Sequence, residues 1–370
     1  MILTSKRKHS LFFGITSRTL MIISAGLLII SYLSIYVNPA KAWFMTIFGL
    51  LFYPLLLVNV LLLVWALLRR SKAVVIPLVA LIPTLLIFGK FFRFSTSRDD
   101  TSKGLKIVSY NVGRFALPQG ATFSSRKECA DSIMAFLRAE DADIICLQEV
   151  YVQNKERVLS YLSRQMKGYD IQYYVNVNKY GSCGNVTFSR YPALSKGHID
   201  FEHSSNMALY SDYCIGGDTL RVYNCHFESY NISLSRLATG LEKDYKKAVK
   251  DTEEKMRRSI VRRPRQVEQV LKDIENCREN VIVTGDFNDT PMSYTYWRLS
   301  RKRKDSFKEA GSGAGATFSK LRPFLRIDYI LFPESYNALS HKVINKRFSD
   351  HYPVEAIIAR RYERHENDCG

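Results

Sequence analysis

The chain has 370 residues, of which 46% are hydrophobic, and a formal net charge of +18. This length allows one large domain and an accessory region. The basic surplus favours anionic partners but does not choose among nucleic acid, phospholipid headgroups and phosphorylated metabolites. The seven cysteines are scattered and form no CxxC pair, which argues against a zinc site or a disulfide framework and leaves at most a single bridge.

The first hundred residues differ in kind from the rest. They hold 11 basic and 2 acidic residues, and they contain three long apolar runs at about 19–40, 42–68 and 73–93. Each run is close to the roughly 20 residues that cross a bilayer as a helix. We therefore predict three transmembrane helices within residues 1–94. A signal peptide followed by buried core helices is the alternative, which three successive runs disfavour.

The positive residues beside these runs predict an orientation. Basic clusters at 6–8 and 69–72 precede the first run and separate the second from the third, whereas the loop between the first two runs offers only Lys41. Positive residues prefer the cytoplasmic side of a membrane. The sequence thus predicts a multi-pass protein of the cell membrane, with everything after Arg93 on the extracytoplasmic, periplasmic side.

The remainder of the chain has the pattern of a globular α/β domain. Residues 95–103 are polar and predict a linker, residues 104–362 form the domain, and residues 363–370 form a polar tail. Apolar periodicity predicts helices at 125–140 and 265–275. Strand-like runs lie at 105–110, 143–147, 171–177, 184–188, 207–215, 219–227, 281–284, 327–332 and 354–358.

Six short stretches place a carboxylate, an amide or an imidazole at or just after an apolar strand. Catalytic groups usually project from a rigid sheet in this way. Each stretch alone has an ordinary explanation as a turn, a helix cap or a buried structural histidine, but the six together favour metal-dependent phosphoester hydrolysis. The stretches are Tyr110-Asn111, Leu147-Gln148-Glu149, Asn224-Cys225-His226, Gly285-Asp286-Phe287-Asn288, Arg326-Ile327-Asp328-Tyr329 and Ser349-Asp350-His351-Tyr352-Pro353.

Three of these residues are predicted metal ligands. Hard divalent cations take oxygen ligands, usually one or two carboxylates with waters. Glu149 follows a strand and is the first candidate, Asn111 offers a neutral oxygen, and Asp350 supplies a further carboxylate. The predicted cation is Mg²⁺, with Mn²⁺ as the alternative.

Five residues are predicted to do the chemistry. Asp286 and Asn288 are two apart, so an extended chain points both the same way. The carboxylate can then take a proton from water while the amide binds a phosphoryl oxygen. His226 can donate a hydrogen bond to the phosphate, and Asp328 can fix the tautomer of the His351 imidazole.

In this order, the residues resemble the endonuclease/exonuclease/phosphatase superfamily, which includes DNase I, the major abasic-site endonucleases, inositol polyphosphate 5-phosphatases and neutral sphingomyelinases. The resemblance covers roughly 105–359, and Ser189-Arg190-Tyr191-Pro192 and Thr317-Phe318 add to it. It implies a four-layer α/β sandwich of two packed mixed β-sheets flanked by helices. The chain would be a membrane-anchored, bacterial-type member.

The resemblance also implies roles for the candidate residues. Asn111, Glu149 and Asp350 correspond to residues that bind the metal, and Asp286 corresponds to the base or to a further metal ligand. Asn288 corresponds to the group that places water and phosphate, and His226 to a phosphate ligand. Asp328 and His351 correspond to the Asp–His pair. No core position of the pattern is missing, which disfavours the non-enzymatic alternative, a binding module for a phosphorylated ligand.

The expected partners are therefore a phosphoester substrate and, through the three helices, a lipid bilayer. Nucleic acid, a phospholipid headgroup and an inositol phosphate all remain open as substrates, and no protein partner is inferred. Residues 236–265 hold 11 basic and 5 acidic residues. This segment is either a solvated helix or an anion-facing lid.

Overall fold

A computed structural model of the chain describes residues 2–94, 104–116, 125–151, 154–178, 181–230 and 244–361. The predicted linker at 95–103 and tail at 363–370 lie outside the described residues, as does the beginning of the basic segment. The α-helices are α1 Ile2–Leu33, α2 Phe44–Leu50, α3 Phe52–Leu68, α4 Val75–Ile87, α5 Arg126–Glu140, α6 Lys155–Gln165, α7 Tyr245–Glu275, α8 Tyr294–Ser300 and α9 Ser306–Ala310.

The strands after residue 104 form two six-stranded sheets. They are β1 Leu105–Asn111, β2 Ile144–Val150, β3 Asp170–Asn178, β4 Gly181–Ser189, β5 Ala193–Asp200, β6 Met207–Ile215, β7 Asp218–His226, β8 Asn280–Asp286, β9 Arg303–Asp305, β10 Asp328–Pro333, β11 Tyr336–Val343 and β12 Val354–Arg360. The first sheet has the order β11-β12-β1-β2-β4-β3, and the second has the order β5-β6-β7-β8-β10-β9. Both sheets are mixed, because β1–β2 and β7–β8 are parallel pairs among antiparallel ones.

Three hydrophobic clusters stack the layers. One packs α5 on the first sheet around Ile133 and Leu137, one lies between the sheets around Ile144 and Ile282, and one packs α7 on the second sheet around Val267. Strands β1, β2 and β8 are buried on both faces, and such strands have continuous apolar runs in their sequence. The fold is the predicted four-layer α/β sandwich.

Residues 2–94 form a separate group of apolar helices. Two segments, Gly14–Tyr36 and Lys72–Lys90, are long and apolar enough to cross a membrane. A third candidate is the pair Phe44–Leu50 and Phe52–Leu68, whose axes differ by 58° across the break at Leu51. The number of candidate spans is therefore two, or three if the bent pair is one span, and three were predicted.

These helices pack directly on the α/β domain. Met292, which is 2% exposed, lies in one hydrophobic cluster with Leu28 and Phe52. A Cβ atom added to Gly49 in α2 would lie 2.5 Å from the Met292 carbonyl oxygen, so only glycine allows this approach. Arg93 and Gly313 exchange two backbone hydrogen bonds of 3.0 and 2.8 Å. The helix ends nearest the domain are thus fixed to it.

Candidate active site

Three candidate residues lie side by side across the second sheet. His226 at the end of β7 pairs with Asp286 at the end of β8, and Asp286 pairs with Asp328 at the start of β10. Cross-strand partners project to the same face of a sheet. All three side chains are buried. The register of three strands therefore assembles an imidazole and two carboxylates in one row.

The first sheet adds an amide and a carboxylate to this row. Asn111 ends β1, and its Nδ2 donates to Asp286 Oδ2 at 2.8 Å and to Glu149 Oε1 at 3.2 Å. Its Oδ1 accepts a hydrogen bond of 2.9 Å from the Gly113 amide. In this arrangement Asn111 aligns both carboxylates from between the two sheets, and its role as a metal ligand stays a prediction.

A buried polar contact holds the two sheets together beneath the site. Gln148 Nε2 donates to Asn224 Oδ1 at 2.8 Å, and Asn224 Nδ2 donates to the Leu147 and Val186 carbonyl oxygens at 3.2 and 2.9 Å. Both side chains are fully buried. Hydrogen bonds between buried polar groups favour one relative placement of the layers that carry them. Glu149, next to Gln148, and His226, two residues after Asn224, are thereby brought together.

Asn288 holds the Asp286 carboxylate from its other side. Its backbone amide donates to Asp286 Oδ1 at 2.8 Å, and its Nδ2 donates to Asp286 Oδ2 at 3.1 Å and to the Phe227 carbonyl oxygen at 2.9 Å. Asn288 and Glu149 both have left-handed backbone conformations, with φ of 52° and 55°. Asparagine tolerates this region, whereas glutamate rarely adopts it. Backbone strain of this kind concentrates at functional sites.

Two imidazoles flank Asp286. His351 Nδ1 lies 3.0 Å from Asp328 Oδ2, and its Nε2 lies 3.7 Å from Asp286 Oδ2. His226 Nε2 lies 3.5 Å from Glu149 Oε1 and 3.9 Å from Asp286 Oδ2. The carboxylate of Asp328 thus orients His351, while both Nε2 atoms face the space beside Asp286.

The protonation of the site follows from burial and from charge. Burial raises the pKa of Asp286 to about 6, and the neighbouring Asp328 adds to the rise, while His351 and His226 oppose it. Burial lowers the pKa of His351, but the carboxylates of Asp328 and Asp286 outweigh it and raise that pKa to about 10. At neutral pH, Asp286 is therefore mainly ionised and His351 is an imidazolium.

The donor set fits a divalent cation. Glu149, His226 and Asp286 each offer one ligand atom, and these atoms lie within 4.8 Å of one another. Asp286, Asp328 and His351 form a second such group, in which Asp328 already holds the imidazole. One or two carboxylates with neutral oxygen ligands are usual for Mg²⁺ or Mn²⁺, and Glu149 and Asp286 supply the carboxylates of the first group. The first group is the better metal site.

Asp350 lies apart from both groups. Its Oδ2 pairs with Lys320 Nζ at 3.1 Å, at the rim of the site. Its neighbour Ser349 donates to the Asn111 carbonyl oxygen at 2.9 Å and accepts from the His351 amide at 3.1 Å. Seven of the eight predicted residues therefore meet in one cluster, and the metal role of Asp350 stays a prediction.

One residue of the site has no recognisable signal in the sequence. Arg263 in α7 is 1% exposed, and its Nη1 lies 2.9 Å from Asp289 Oδ2 and 3.0 Å from the Tyr230 hydroxyl. Its Nε donates to the Glu228 carbonyl oxygen at 2.8 Å. It therefore joins the segments that follow His226 and Asn288. In the sequence it is one of many basic residues in its segment.

Comparison with known proteins shows the family to which the chain belongs. The model of the Endonuclease/Exonuclease/phosphatase family matches residues 108–351, well over half of the chain. The chain therefore belongs to this family, and by that membership it is a phosphoester hydrolase. Residues 10–91 match a separate domain of unknown function. A search of curated proteins gives no match.

Solved structures share the fold. An endonuclease/exonuclease/phosphatase from Bacteroides vulgatus is 16% identical, with a TM-score of 0.53, over 70% of this chain and 100% of that one. A family protein from Bacteroides thetaiotaomicron is 18% identical, with a TM-score of 0.52, over 70% and 99%. A mannosyl-6-phosphatase from the same species is 17% identical, with a TM-score of 0.50, over 69% and 99%. At these identities the likeness concerns the fold alone.

Proposed function

We propose that the protein is a membrane-anchored phosphoester hydrolase that depends on Mg²⁺, with Mn²⁺ as the alternative. The observation that carries this proposal is the position of Asp286. Its carboxylate lies 3.9 Å from His226 Nε2 and 3.7 Å from His351 Nε2, and both Asn111 and Asn288 donate hydrogen bonds to it. An ionised carboxylate so enclosed is suited to a metal-assisted hydrolytic site.

The chain's own residues have distinct tasks in this proposal. Glu149 and Asp286 would hold the cation together with Asn111, and the cation would neutralise the negative charge that builds on the phosphoryl and leaving oxygens. Asp286 would accept a proton from the attacking water, because Asn111 and Asn288 hold its carboxylate beside the space that the two imidazoles face.

The imidazoles and amides stabilise the reacting phosphoryl group. His351, charged and oriented by Asp328, donates through Nε2 to a phosphoryl oxygen. His226 donates to a second oxygen from the opposite side of Asp286. Asn288 fixes the direction of the Asp286 carboxylate and with it the direction of the attacking water.

The same proposal places the N-terminal helices in the cell membrane, with three crossings and the catalytic domain on the extracytoplasmic side. The basic residues at 6–8 lie near the start of α1, and Arg69 and Arg70 follow α3. The opposite ends of these helices, at Ile35 and Phe52, share a cluster with Met292 of the catalytic domain. The basic clusters and the catalytic domain are thus at opposite ends of the helices. Because positive residues prefer the cytoplasmic side, this arrangement supports an extracytoplasmic catalytic domain.

The activity is tested with the full-length protein in detergent. Bis(p-nitrophenyl) phosphate and p-nitrophenyl phosphate are assayed with Mg²⁺, with Mn²⁺ and with EDTA. We expect EDTA to abolish turnover and Asp286→Asn to lower kcat by about 100-fold or more. Asp200→Asn, a partly exposed aspartate at the end of β5, is the matched control and should retain wild-type rates. Turnover that survives both EDTA and Asp286→Asn contradicts the proposal.

The orientation is tested with a cysteine of the chain itself. Cys214 is exposed, whereas Cys129, Cys146 and Cys225 are buried. A membrane-impermeant maleimide should label the wild type in intact spheroplasts, and Cys214→Ser should lower that labelling. Labelling that depends on Cys214 only after lysis would place the domain in the cytoplasm.

A further inference from the structure

One short loop connects the active site to the N-terminal helices. We call residues Ser319–Phe324 the rim loop. Just before it, the Phe318 ring packs at 5.2 Å on the ring of His351, and the two backbones form an antiparallel bridge. At its end, the Phe324 ring packs edge-on at 5.5 Å against Tyr53, in the first turn of α3. Six residues thus reach from a catalytic imidazole to the end of a candidate membrane span.

The rim loop has an exposed apolar surface. Leu321 is 46% exposed and Phe324 is 52% exposed, and the residues between them are exposed as well. Isolated apolar residues on a surface need no explanation, but a contiguous patch marks an interaction site. This patch continues onto α3, where Leu57 and Leu61 are also exposed. The continuity indicates that the loop and the helix face the same apolar medium.

The loop also carries positive charge at the site entrance. Lys320 is exposed and pairs with Asp350, next to His351 in the sequence. The exposed Arg322 stacks over the Tyr352 ring at 4.7 Å. Apolar side chains beside snorkelling cations are the arrangement that binds a membrane interface with anionic headgroups.

We propose that the substrate is an anionic lipid phosphoester, which the enzyme takes from the bilayer leaflet facing the catalytic domain. In this arrangement Leu321 and Phe324 lie among the lipid chains beside α3, and Lys320 and Arg322 bind the headgroup phosphate. The phosphoester group of the lipid then has to move only the distance between the rim loop and His351 to reach the active site. This inference rests on the proposed function and names its substrate class.

The reaction is a hydrolysis and needs only water. The water oxygen bonds to phosphorus, and its proton passes to Asp286. The ester P–O bond breaks, the leaving oxygen takes a proton from solvent to become an alcohol, and Asp286 returns its own proton to solvent. One product therefore keeps the lipid chains and stays in the bilayer, while the headgroup fragment leaves into water.

The test compares lipids with their water-soluble headgroups. The full-length protein is reconstituted in phosphatidylcholine vesicles that contain phosphatidic acid, phosphatidylglycerol or a phosphatidylinositol phosphate. Glycerol phosphate, glycerophosphoglycerol, inositol phosphates, bis(p-nitrophenyl) phosphate and DNA are assayed in parallel. We expect one lipid to exceed its own headgroup in kcat/KM by about 10-fold or more, since burying apolar side chains contributes at least that much.

Variants separate the loop from the chemistry. Leu321→Ser/Phe324→Ser should lower the ratio of lipid to soluble-ester turnover by about 10-fold. The matched control is Val177→Ser/Leu194→Ser, at two similarly exposed positions, 74% and 65%, on strands β3 and β5. It should keep the wild-type ratio. Turnover of the soluble ester reports that each variant is folded.

The outcomes distinguish this inference from the proposed function. A ratio unchanged by the loop variant, lipids no better than their headgroups, or DNA preferred over every lipid would overturn the lipid inference. In each of these cases, EDTA-sensitive hydrolysis that needs Asp286 would still support the proposed function. Absence of hydrolysis on every ester would overturn both.

Discussion

Arg263 and Asp289 form an ion pair of 2.9 Å in which both side chains are almost completely buried. Asp289 directly follows Asn288, and the same guanidinium binds the carbonyl oxygen of Glu228, two residues after His226. It also stacks on the Tyr230 ring at 4.3 Å. The guanidinium of Arg263 thus ties together the two segments that follow His226 and Asn288.

Replacing Arg263 with methionine should damage both stability and catalysis. The change leaves the Asp289 carboxylate buried without its partner, which costs about 3–5 kcal/mol. We expect a lower Tm and a kcat lower by about 100-fold, because small displacements of catalytic groups are costly. Thermal unfolding in detergent and turnover of bis(p-nitrophenyl) phosphate measure the two effects. Arg258→Met, at an exposed position of the same helix, should change neither.

Metal binding should be visible without any substrate. A ligand that binds only the folded state raises Tm, so Mg²⁺ or Mn²⁺ should stabilise the wild type and EDTA should reverse the shift. Glu149→Gln keeps the side-chain shape but removes the charge, and it should abolish the metal-dependent shift. Glu156→Gln, on the exposed surface of α6, should leave it intact. An equal shift in Glu149→Gln would remove Glu149 from the metal site.

The contact between Gly49 and Met292 should matter for activity. An alanine Cβ at position 49 would lie 2.5 Å from a backbone oxygen and 2.9 Å from the Ser34 hydroxyl, so the helices and the domain must separate slightly. Because Met292 lies six residues after Asp286, we expect Gly49→Ala to lower kcat by several-fold and to lower Tm. Gly26→Ala in α1 meets no atom within 4 Å and is the matched control. Wild-type kcat in Gly49→Ala would show that this contact does not influence the site.

His341 should make the folded protein sensitive to mild acid. Burial lowers the pKa of this imidazole to about 4, and the nearby Asp305 offsets only part of the effect. The unfolded value is about 6.5, so between these two values the unfolded chain binds a proton that the folded chain does not. The contribution of neutral His341 to the free energy of unfolding is therefore complete above pH ~6.5 and is lost as the pH falls. The loss is about 2 kcal/mol between pH ~7 and pH ~5.

The variant His341→Asn isolates this effect from the other ionisable groups. Asparagine can still bind the Ser306 hydroxyl, which lies 2.8 Å from His341 Nδ1, but it does not titrate. The Tm of the variant should fall less than that of the wild type when the pH is lowered from ~7 to ~5. Parallel pH profiles for the two proteins would refute the assignment to His341.

Much of the fold and of the site was predictable, because both depend on local patterns. His226 and Asp286 each end an apolar strand, and parallel pairing of β7 with β8 then brings them together. The predicted sandwich is confirmed. Strand β5 was missed because its residues, among them Leu194 and Lys196, are largely exposed and do not alternate between apolar and polar types in the sequence. It is an edge strand, where burial leaves little trace in the sequence.

The contribution of Arg263 was not predictable, because its environment is formed by distant parts of the chain. Glu228 and Asp289 lie 35 residues before it and 26 after it. In the sequence, Arg263 is indistinguishable from its exposed neighbours in the basic segment. The function of those neighbours as an anion-facing lid stays a prediction. Burial of a charge depends on tertiary contacts, which composition and periodicity do not encode.

The cluster around Met292 bears on how this enzyme can be handled. If residues 2–94 were removed, Met292, Trp297 and Phe324 would lose the helices that now pack on them. Newly exposed apolar area of this kind promotes aggregation. The catalytic domain should therefore be poorly soluble when expressed alone and should need detergent throughout purification, unlike an enzyme that is merely tethered to its anchor.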